Sequence, residues 1–511
     1  MNIIVLVCDA LRASSLGCYG YDKNTSPEID KIARNGIRFS NAFATANSTD
    51  VSFTTIFTGK YPTTHGICHH GNKITNTEKK YTTNLLFLPE VLHEKGFVTI
   101  GLDWLGRWHK WGYDFYAGVN NDLCKRSSDR KIQAGSQRSP AWLPLALKKY
   151  IQKLFLIRSH CNWYYSLPSY MRKYVRNAVE FYNEKKHISL SGRKTRPIVT
   201  DSAGLTDSAI RYVKKYAGKR DFFLFVHYWD THTPYTAPKK IINDFLSKYD
   251  YSNRKVSSVL KDLAGTKSAY IVKKSTRKRT PKTIGEIIAH YDASIRYVDS
   301  NIGRLCRFLK EIDILNDTLV ILTSDHGESL DEHGIFFNHH GLYEPQVNVP
   351  LIMFGAKCAK GVVYDELVQH FDITPTIMDY VGIKEKEYEF DGASLLSLTR
   401  DNNWNRKFVF AEEKNLQQKR MIRDKEYKYI QALNDDMCLY CQKYHARGDE
   451  FYNLKNDPKE ENNIIEDPKH KMYKQELDNY INALAKPLEG REIEFDDEEE
   501  ITKRLEALGY L

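Results

Sequence analysis

The sequence predicts an α/β fold in which a mixed, mostly parallel sheet lies between helices, with a small antiparallel subdomain at the C-terminus. Two patterns support this prediction. Short apolar, β-branched runs alternate with helical patterns, and after about residue 405 the chain changes to short strands and turns. We therefore expect a large domain over residues 1–404 and a smaller one over residues 405–511. Inserts at about residues 125–196 and 254–282 interrupt the large domain.

The predicted elements follow from local patterns. Residues 2–7 are an apolar run, typical of a strand that is buried on both faces. Ser26 can cap a helix that runs from Pro27 to Gly36, and a second helix, closed by glycine, is predicted from Leu85 to Gly96. The remaining predictions are strands at 98–100, 222–227, 318–323, 349–354, 407–412, 420–422 and 427–431, a long helix at about 284–309 and a last helix at 501–508.

Charge and cysteine content narrow the class of protein. The 511 residues include 75 Lys and Arg against 65 Asp and Glu, a net charge of +10. This charge is too weak to indicate nucleic acid, but it fits an anionic substrate or surface. No apolar stretch reaches the roughly 18 residues of a membrane span, and the first apolar run is too short for a signal peptide, so we expect a cytoplasmic location. Nine cysteines, an odd number, favour reduced thiols over a disulfide framework.

Polar residues follow two of the predicted strands. Asp9 ends the first strand, and Asp325 and His326 follow the strand at 318–323. Because ligands bind at the carboxyl ends of strands in open α/β sheets, these three side chains could form a divalent-metal site. The alternative is a helix cap for Asp325 and a buried, hydrogen-bonded Asp9.

Two groups of histidines and one stretch of hydroxyl residues are further candidates. His232 lies in a loop after the strand at 222–227, and His339 and His340 lie in a second loop. Such loop histidines contact anions or metals, although each one alone is more often structural. A nucleophile is harder to choose, because one stretch holds the candidates Ser48, Thr49, Ser52, Thr54 and Thr55.

Ordered blocks along nearly the whole chain resemble the sulfatase family of the alkaline phosphatase superfamily. The strongest block is Thr323-Ser324-Asp325-His326-Gly327-Glu328. The other blocks lie at residues 8–20, 26–39, 58–66, 230–235, 349–352, 451–463 and 504–511. The resemblance implies an alkaline-phosphatase-like fold and a metal-dependent ester hydrolase.

The chain departs from this family at the nucleophile. True sulfatases carry a cysteine that is matured to formylglycine, followed by proline, serine and arginine. In register with Thr58-Gly59, these positions are Thr49, Val51, Ser52 and Phe53. Formylglycine therefore cannot form, and the stretch resembles the phosphoethanolamine transferases and the phosphonate and phosphodiester hydrolases, which use a threonine nucleophile.

The resemblance implies one divalent metal ion, bound by Asp9, Thr49, Asp325 and His326. Ala10 occupies the position of the family's second aspartate. Three oxygen ligands and an imidazole favour manganese or zinc, with calcium or magnesium possible.

Catalytic and substrate-binding roles are also implied by the resemblance. His232 and His339 would act in catalysis beside Thr49, and His340 is the alternative to His339 because the local register is uncertain by one residue. The implied substrate-binding residues are Lys60, Arg107, His109, Asp230, His232 and His339.

The implied activity is hydrolysis of a sulfate or phosphate ester or a phosphodiester through Thr49, and the threonine favours phosphorus over sulfur. One alternative is a transferase that moves a phospho-alcohol group onto a glycan or lipid precursor. The other is a non-catalytic binding protein on the same fold, which the intact set of Asp9, Thr49, Asp325 and His326 argues against. The expected partner is an anionic ester, perhaps linked to a glycan or lipid, and not nucleic acid.

The inserts carry two further predictions, and a cysteine pair a third. The insert at 125–196 interleaves basic and aromatic residues, which predicts either peripheral contact with an anionic membrane or a helical lid. The insert at 254–282 is predicted to be a solvated basic loop. Cys438 and Cys441 with His445 have zinc-like spacing, but a partner pair is missing from the pattern, which predicts a loop insert.

Overall fold

A mixed sheet forms the centre of the part of the chain that the computed structural model describes. Its strands are β1 (Asn2–Cys8), β2 (Ile37–Phe43), β3 (Val98–Leu102), β4 (Phe115–Tyr116), β5 (Val119–Asn120), β6 (Phe222–Tyr228), β7 (Thr318–Thr323), β8 (Leu351–Gly355) and β9 (Val362–Gln369). They lie in the order β5-β4-β3-β6-β1-β7-β8-β2-β9. Most pairs are parallel, and β8 runs antiparallel to both of its neighbours, so the predicted mixed sheet is confirmed.

The three central strands place the residues of interest at one edge. β6, β1 and β7 are buried along their whole length, as continuous apolar runs in parallel sheets are. Val5 of β1 lies level with Phe225 of β6 and Ile321 of β7. Because the three strands are parallel and in register, the residues that follow them meet at the carboxyl edge of the sheet.

Helices cover both faces of this sheet. Alternate residues of β1 enter two different cores: Ile4 and Leu6 pack in one, Ile3 and Val5 in the other. The helices are α1 (Pro27–Arg34), α2 (Thr49–Thr58), α3 (Pro62–His65), α4 (Asn76–Thr82), α5 (Leu88–Glu94), α6 (Ser202–Tyr216), α7 (Lys239–Lys248), α8 (Val256–Asp262), α9 (Lys267–Lys274), α10 (Ile284–Glu311), α11 (Glu344–Val347), α12 (Ile373–Tyr380), α13 (Leu396–Arg400) and α14 (His470–Ala483).

The prediction of a solvated loop at 254–282 is wrong. Residues 256–262 and 267–274 form α8 and α9. Val256 and Val259 are buried on one helix, and Ala269 and Val272 on the next, each pair three residues apart. This spacing produces a one-sided apolar face, which the many lysines of the segment obscure in the sequence.

The C-terminal part contains a second, antiparallel sheet, as predicted. Its strands β10 (Val409–Glu413), β11 (Lys419–Arg423), β12 (Tyr427–Ala432) and β13 (Glu450–Asn453) pair in chain order. A buried Lys428 lies 2.8 Å from a Glu344 oxygen and 2.6 Å from a Glu460 oxygen, which joins this sheet to α11. The domain boundary at residue 405 stays a prediction.

The structure describes residues 1–116, 119–120, 201–276, 281–356, 358–383, 388–400, 404–435, 437–438, 440–442, 448–495, 497–498 and 501–502. One compact unit comprises residues 1–125 and 199–511, and a second comprises residues 126–198. The predicted insert at 125–196 and most of the predicted helix at 501–508 lie outside the described residues. Within them, no helix is long and apolar enough to cross a membrane, and no disulfide joins the seven cysteines.

Candidate active site

Two carboxylates and an imidazole meet at the carboxyl edge of the central strands. Asp9 follows β1, and Asp325 and His326 follow β7. All three are fully buried, and one possible ligand atom from each lies within 4.8 Å of the others. Three of the four predicted metal ligands therefore lie together, and their role as metal ligands stays a prediction.

The donor atoms of this cluster fit a divalent cation. Neither oxygen of Asp9 has a hydrogen-bond partner among the described residues, and neither does Oδ2 of Asp325. Nδ1 of His326 donates to the Gly327 carbonyl at 2.9 Å, which turns Nε2 toward Asp325 Oδ2 at 3.3 Å and Asp9 Oδ1 at 3.8 Å. Buried oxygens without partners are costly, and a cation among the three groups would satisfy them.

Backbone amides hold Asp325 in this orientation. The N–H groups of Ala10 and His326 both donate to Asp325 Oδ1, at 3.1 and 2.9 Å. Oδ1 is thereby occupied by the protein, and Oδ2 is the oxygen that faces the cluster. Ala10 has a φ of 55°, in the left-handed region, so the chain turns sharply after Asp9.

Of the hydroxyl candidates, Thr49 is the residue whose side chain contacts the cluster. It is the first residue of α2, fully buried, and its Oγ1 lies 3.5 Å from His326 Nε2. The Ser52 hydroxyl donates instead to the Ala46 carbonyl at 3.3 Å, and that of Thr54 donates to the Asp50 carbonyl at 2.7 Å. A helix N-terminus also favours an anionic group at the Thr49 position.

His339 and His232 line the same site. The ring of His339 stacks on that of His326 with centroids 4.3 Å apart and lies 5.9 Å from that of His232. Nδ1 of His339 donates to the Asn47 carbonyl, and Nδ1 of His232 donates to the Thr233 carbonyl at 2.6 Å. Burial lowers the pKa of both rings, and the neighbouring histidines lower that of His339 further, which favours the neutral form of each ring.

His227 and Asp103 belong to the site, although the sequence patterns did not reveal them. His227 Nε2 lies 3.4 Å from Asp9 Oδ2, and its Nδ1 lies 2.9 Å from Asp103 Oδ1. Burial opposes ionisation of Asp9, but His232 and His227 lower its pKa below the usual value. Asp103 directly follows β3 at the same edge, so the rule that selected Asp9 could have selected it too.

Arg107 and His109, two predicted substrate contacts, lie beside Asp50. His109 Nε2 is 3.0 Å and Arg107 Nη1 is 3.8 Å from the Asp50 carboxylate, which His70 also contacts at 2.7 Å. Burial opposes ionisation of Asp50, but its contacts with His70, His109 and Arg107 lower its pKa well below the usual value. The cluster fixes the first turn of α2, which carries Thr49, and a contact of Arg107 or His109 with substrate stays a prediction.

Three other predicted residues occupy different surroundings. Asp230 accepts hydrogen bonds from Ser202 and Thr236 on its two oxygens, so it holds its own loop. Lys60 follows the other end of the ten-residue α2, about 15 Å along the helix axis from Thr49, and its contact with substrate stays a prediction. His340, the alternative to His339, groups with Cys438 and Cys441.

Comparison with protein families gives two matches. The model of the family described as sulfatase matches residues 1–383. A second model, described as N-sulphoglucosamine sulphohydrolase, C-terminal, matches residues 331–487.

Individual proteins match over nearly the full length. An arylsulfatase of Clostridium perfringens is 25% identical, over 98% of this chain and 97% of its own. An N-acetylglucosamine-6-O-sulfatase of Bacteroides thetaiotaomicron is 24% identical, over 95% of this chain and 86% of its own.

Solved structures share the fold. One, of a protein in complex with its substrate D-glucosamine-2-N,6-O-disulfate, has a TM-score of 0.62 and 18% identity, and covers 94% of this chain and 96% of that chain. The phosphonate monoester hydrolase of Agrobacterium radiobacter has a TM-score of 0.60 and 18% identity, and covers 94% of this chain and 95% of that chain.

Proposed function

Because the chain belongs to the sulfatase family, and so to the ester hydrolases, we propose that it hydrolyses sulfate or phosphate esters with Thr49 as the nucleophile. Asp9, Asp325 and His326 would bind one divalent metal ion beside it. The observation that carries the proposal is the position of the Thr49 hydroxyl, 3.5 Å from His326 Nε2 at the first residue of a buried helix. No other hydroxyl in this stretch of the described chain contacts the cluster.

Thr49, His232 and His339 have different roles in the proposed reaction. When bound, the metal ion would lower the pKa of the Thr49 hydroxyl and neutralise charge on the transferred group. Thr49 Oγ1 releases its proton to solvent and forms a bond to sulfur or phosphorus, while the bond from that atom to the ester oxygen breaks and the departing oxygen takes up a proton. His232 and His339, once protonated beside the bound anion, stabilise the charge that develops and donate a proton to the departing oxygen. Water then attacks the same central atom, releases the group and restores the threonine hydroxyl.

The threonine excludes the cysteine-derived cofactor of the family at this position. A formylglycine is an aldehyde, whereas the Thr49 Cβ carries a methyl group and could be oxidised only to a ketone. The intermediate is therefore an ordinary sulfate or phosphate ester of threonine. The chemistry of this nucleophile favours phosphorus, and the names of the relatives favour sulfate.

The names of the relatives support one class of substrate for the proposal. The names of two similar proteins mention sugar sulfates. One is the N-acetylglucosamine-6-O-sulfatase, and the other is the protein in complex with D-glucosamine-2-N,6-O-disulfate. We therefore include carbohydrate esters among the substrates to be tested. A cytoplasmic location and a membrane contact are not part of the proposal.

A substrate panel tests the function directly. The protein is stripped with a chelator and assayed with manganese, zinc, magnesium or calcium on nitrophenyl sulfate, phosphate, phosphodiester and phosphonate esters and on glucosamine sulfates. We expect turnover of at least one ester class, restored by one or more metals and absent in Asp325→Ala. Equal turnover in the wild type and in Asp325→Ala, or no turnover of any ester with any metal, would contradict the proposal.

A further inference from the structure

His340, Cys438 and Cys441 form a second cluster of metal-ligating side chains, apart from the residues of the proposed reaction. His340 lies in the loop that follows β7, and both cysteines lie in the connection between β12 and β13. One ligand atom from each residue lies within 4.8 Å of the other two. The three residues are 1%, 1% and 2% exposed, so the cluster is part of the interior.

Two of the three side chains, His340 and Cys438, are oriented as zinc ligands would be. Nδ1 of His340 donates to Asn338 Oδ1 at 2.7 Å, which makes Nε2 the nitrogen that would bind a metal. Metal-bound histidines characteristically donate their other ring N–H to an oxygen in this way. The Tyr440 amide points at Cys438 Sγ, at 3.4 Å, and an N–H directed at sulfur stabilises a thiolate.

The spacing of the three donor atoms suits a tetrahedral ion. Zinc–sulfur bonds of about 2.3 Å at tetrahedral angles place two sulfur ligands about 3.8 Å apart. Separations of up to 4.8 Å require shifts of about 1 Å or less, within the freedom of a cysteine χ1 rotation. Two thiolates and an imidazole are soft and borderline ligands that select zinc over calcium or magnesium.

We propose that His340, Cys438 and Cys441 bind a structural zinc ion that ties the loop carrying His339 to the β12–β13 connection. The backbone N–H of Ser268, in the first turn of α9, donates to the Tyr440 carbonyl at 3.0 Å, so the second insert supports the same junction. Three protein ligands leave a fourth position for water or a further side chain. His445, the other histidine of the sequence pattern, lies outside the described residues.

The test separates this ion from one bound at Asp9, Asp325 and His326. The full-length protein is loaded with cobalt(II), and the absorption band for charge transfer from thiolate to cobalt is measured, because the carboxylate–imidazole cluster contains no sulfur. We expect this band in the wild type and in Asp325→Ala. We also expect it in the control Cys306→Ser, because Cys306 lies in α10 and is not one of the proposed ligands. The band should disappear in the double variant Cys438→Ser, Cys441→Ser.

Zinc content supplies the second readout. After dialysis, Asp325→Ala should retain about one zinc per chain, with X-ray absorption showing sulfur ligands at about 2.3 Å. Three results would overturn the proposal: no sulfur-to-cobalt band in the wild type, an unchanged band in the double variant, or two thiols missing from a titration of the unfolded, unreduced protein. The last result would mean that Cys438 and Cys441 form a disulfide instead. If the double variant does not fold, the wild-type and Asp325→Ala spectra still decide the question.

Discussion

Removal of the Thr49 hydroxyl should abolish most turnover without unfolding the protein. Thr49→Ala removes the one hydroxyl oxygen that lies 3.5 Å from His326 Nε2, and with it the covalent route. We expect turnover to fall by about three to five orders of magnitude, which corresponds to about 4–7 kcal/mol in the activation free energy. The residual rate comes from the charge-stabilising groups that remain.

The same change costs much less in folding free energy. Thr49 is fully buried, and the variant loses one methyl group and one hydroxyl, for which about 1–2 kcal/mol of unfolding free energy is expected. Metal content should persist in large part, because Asp9, Asp325 and His326 are unchanged. Thr49→Ser, which keeps the oxygen, should retain part of the activity.

The assay combines stopped turnover with a search for the adduct. A slow substrate is quenched with acid, and intact mass followed by peptide mapping locates a sulfo or phospho group. The matched control is Ser52→Ala, another buried hydroxyl in the same helix, for which we expect less than a tenfold effect. An adduct on Ser48 or Ser52, or near-normal turnover of Thr49→Ala, would refute Thr49 as the nucleophile.

Three further predictions follow from the same structure. Asp9→Ala and Asp325→Ala should each remove the bound divalent metal and reduce turnover at least a hundredfold while the circular dichroism spectrum is kept; full metal in either variant would show that the ligand set is wrong. Burial lowers the pKa of His65 from 6.5 to about 3, so the unfolded chain binds a proton at a higher pH than the folded protein does. The free energy of unfolding should therefore be highest above pH 6.5 and fall by up to about 5 kcal/mol as the pH approaches 3. His65→Asn should reduce this fall in urea titrations, and an equal fall in both proteins would argue against it. Lys428→Ala leaves the buried Glu460 without its ion-pair partner, although Glu344 keeps Arg423, and should lower the free energy of unfolding by about 3–5 kcal/mol, whereas the exposed Lys425→Ala should change it by less than about 0.5 kcal/mol.

The sequence was most informative where a single physical rule decides the structure. Continuous apolar runs such as residues 222–227 become central strands because only burial on both faces accommodates them. The same rule places polar residues at the strand ends, which is why Asp9 and Asp325 could be paired from the sequence. Asp103 follows β3 in the same way and was missed only because its strand is short.

Other parts of the structure depend on contacts that local patterns do not encode. His227 lies inside an apolar strand, so its contacts with Asp9 and Asp103 become visible only when neighbouring strands are aligned. Cys438 lies close to His340, although about a hundred residues separate them in the sequence. The ligand that the cysteine pattern lacks is thus a histidine from a loop that follows a strand of the other sheet. Such long-range pairings are set by the topology, which the cysteine spacing alone does not contain.

Two of the departures from the family signature, at positions 10 and 53, concern the same region of the structure. Ala10 and Phe53 replace an aspartate and an arginine, so one negative and one positive charge are absent from the interior. The Phe53 ring instead packs edge to face against His227, with centroids 4.6 Å apart, and His227 Nε2 lies 3.4 Å from Asp9 Oδ2. An arginine at position 53 would be buried in this apolar contact without the carboxylate at position 10, at a cost of several kcal/mol. β6 therefore places a histidine beside Asp9 at the position where an arginine from α2 is missing, and Thr49 as the nucleophile stays a prediction.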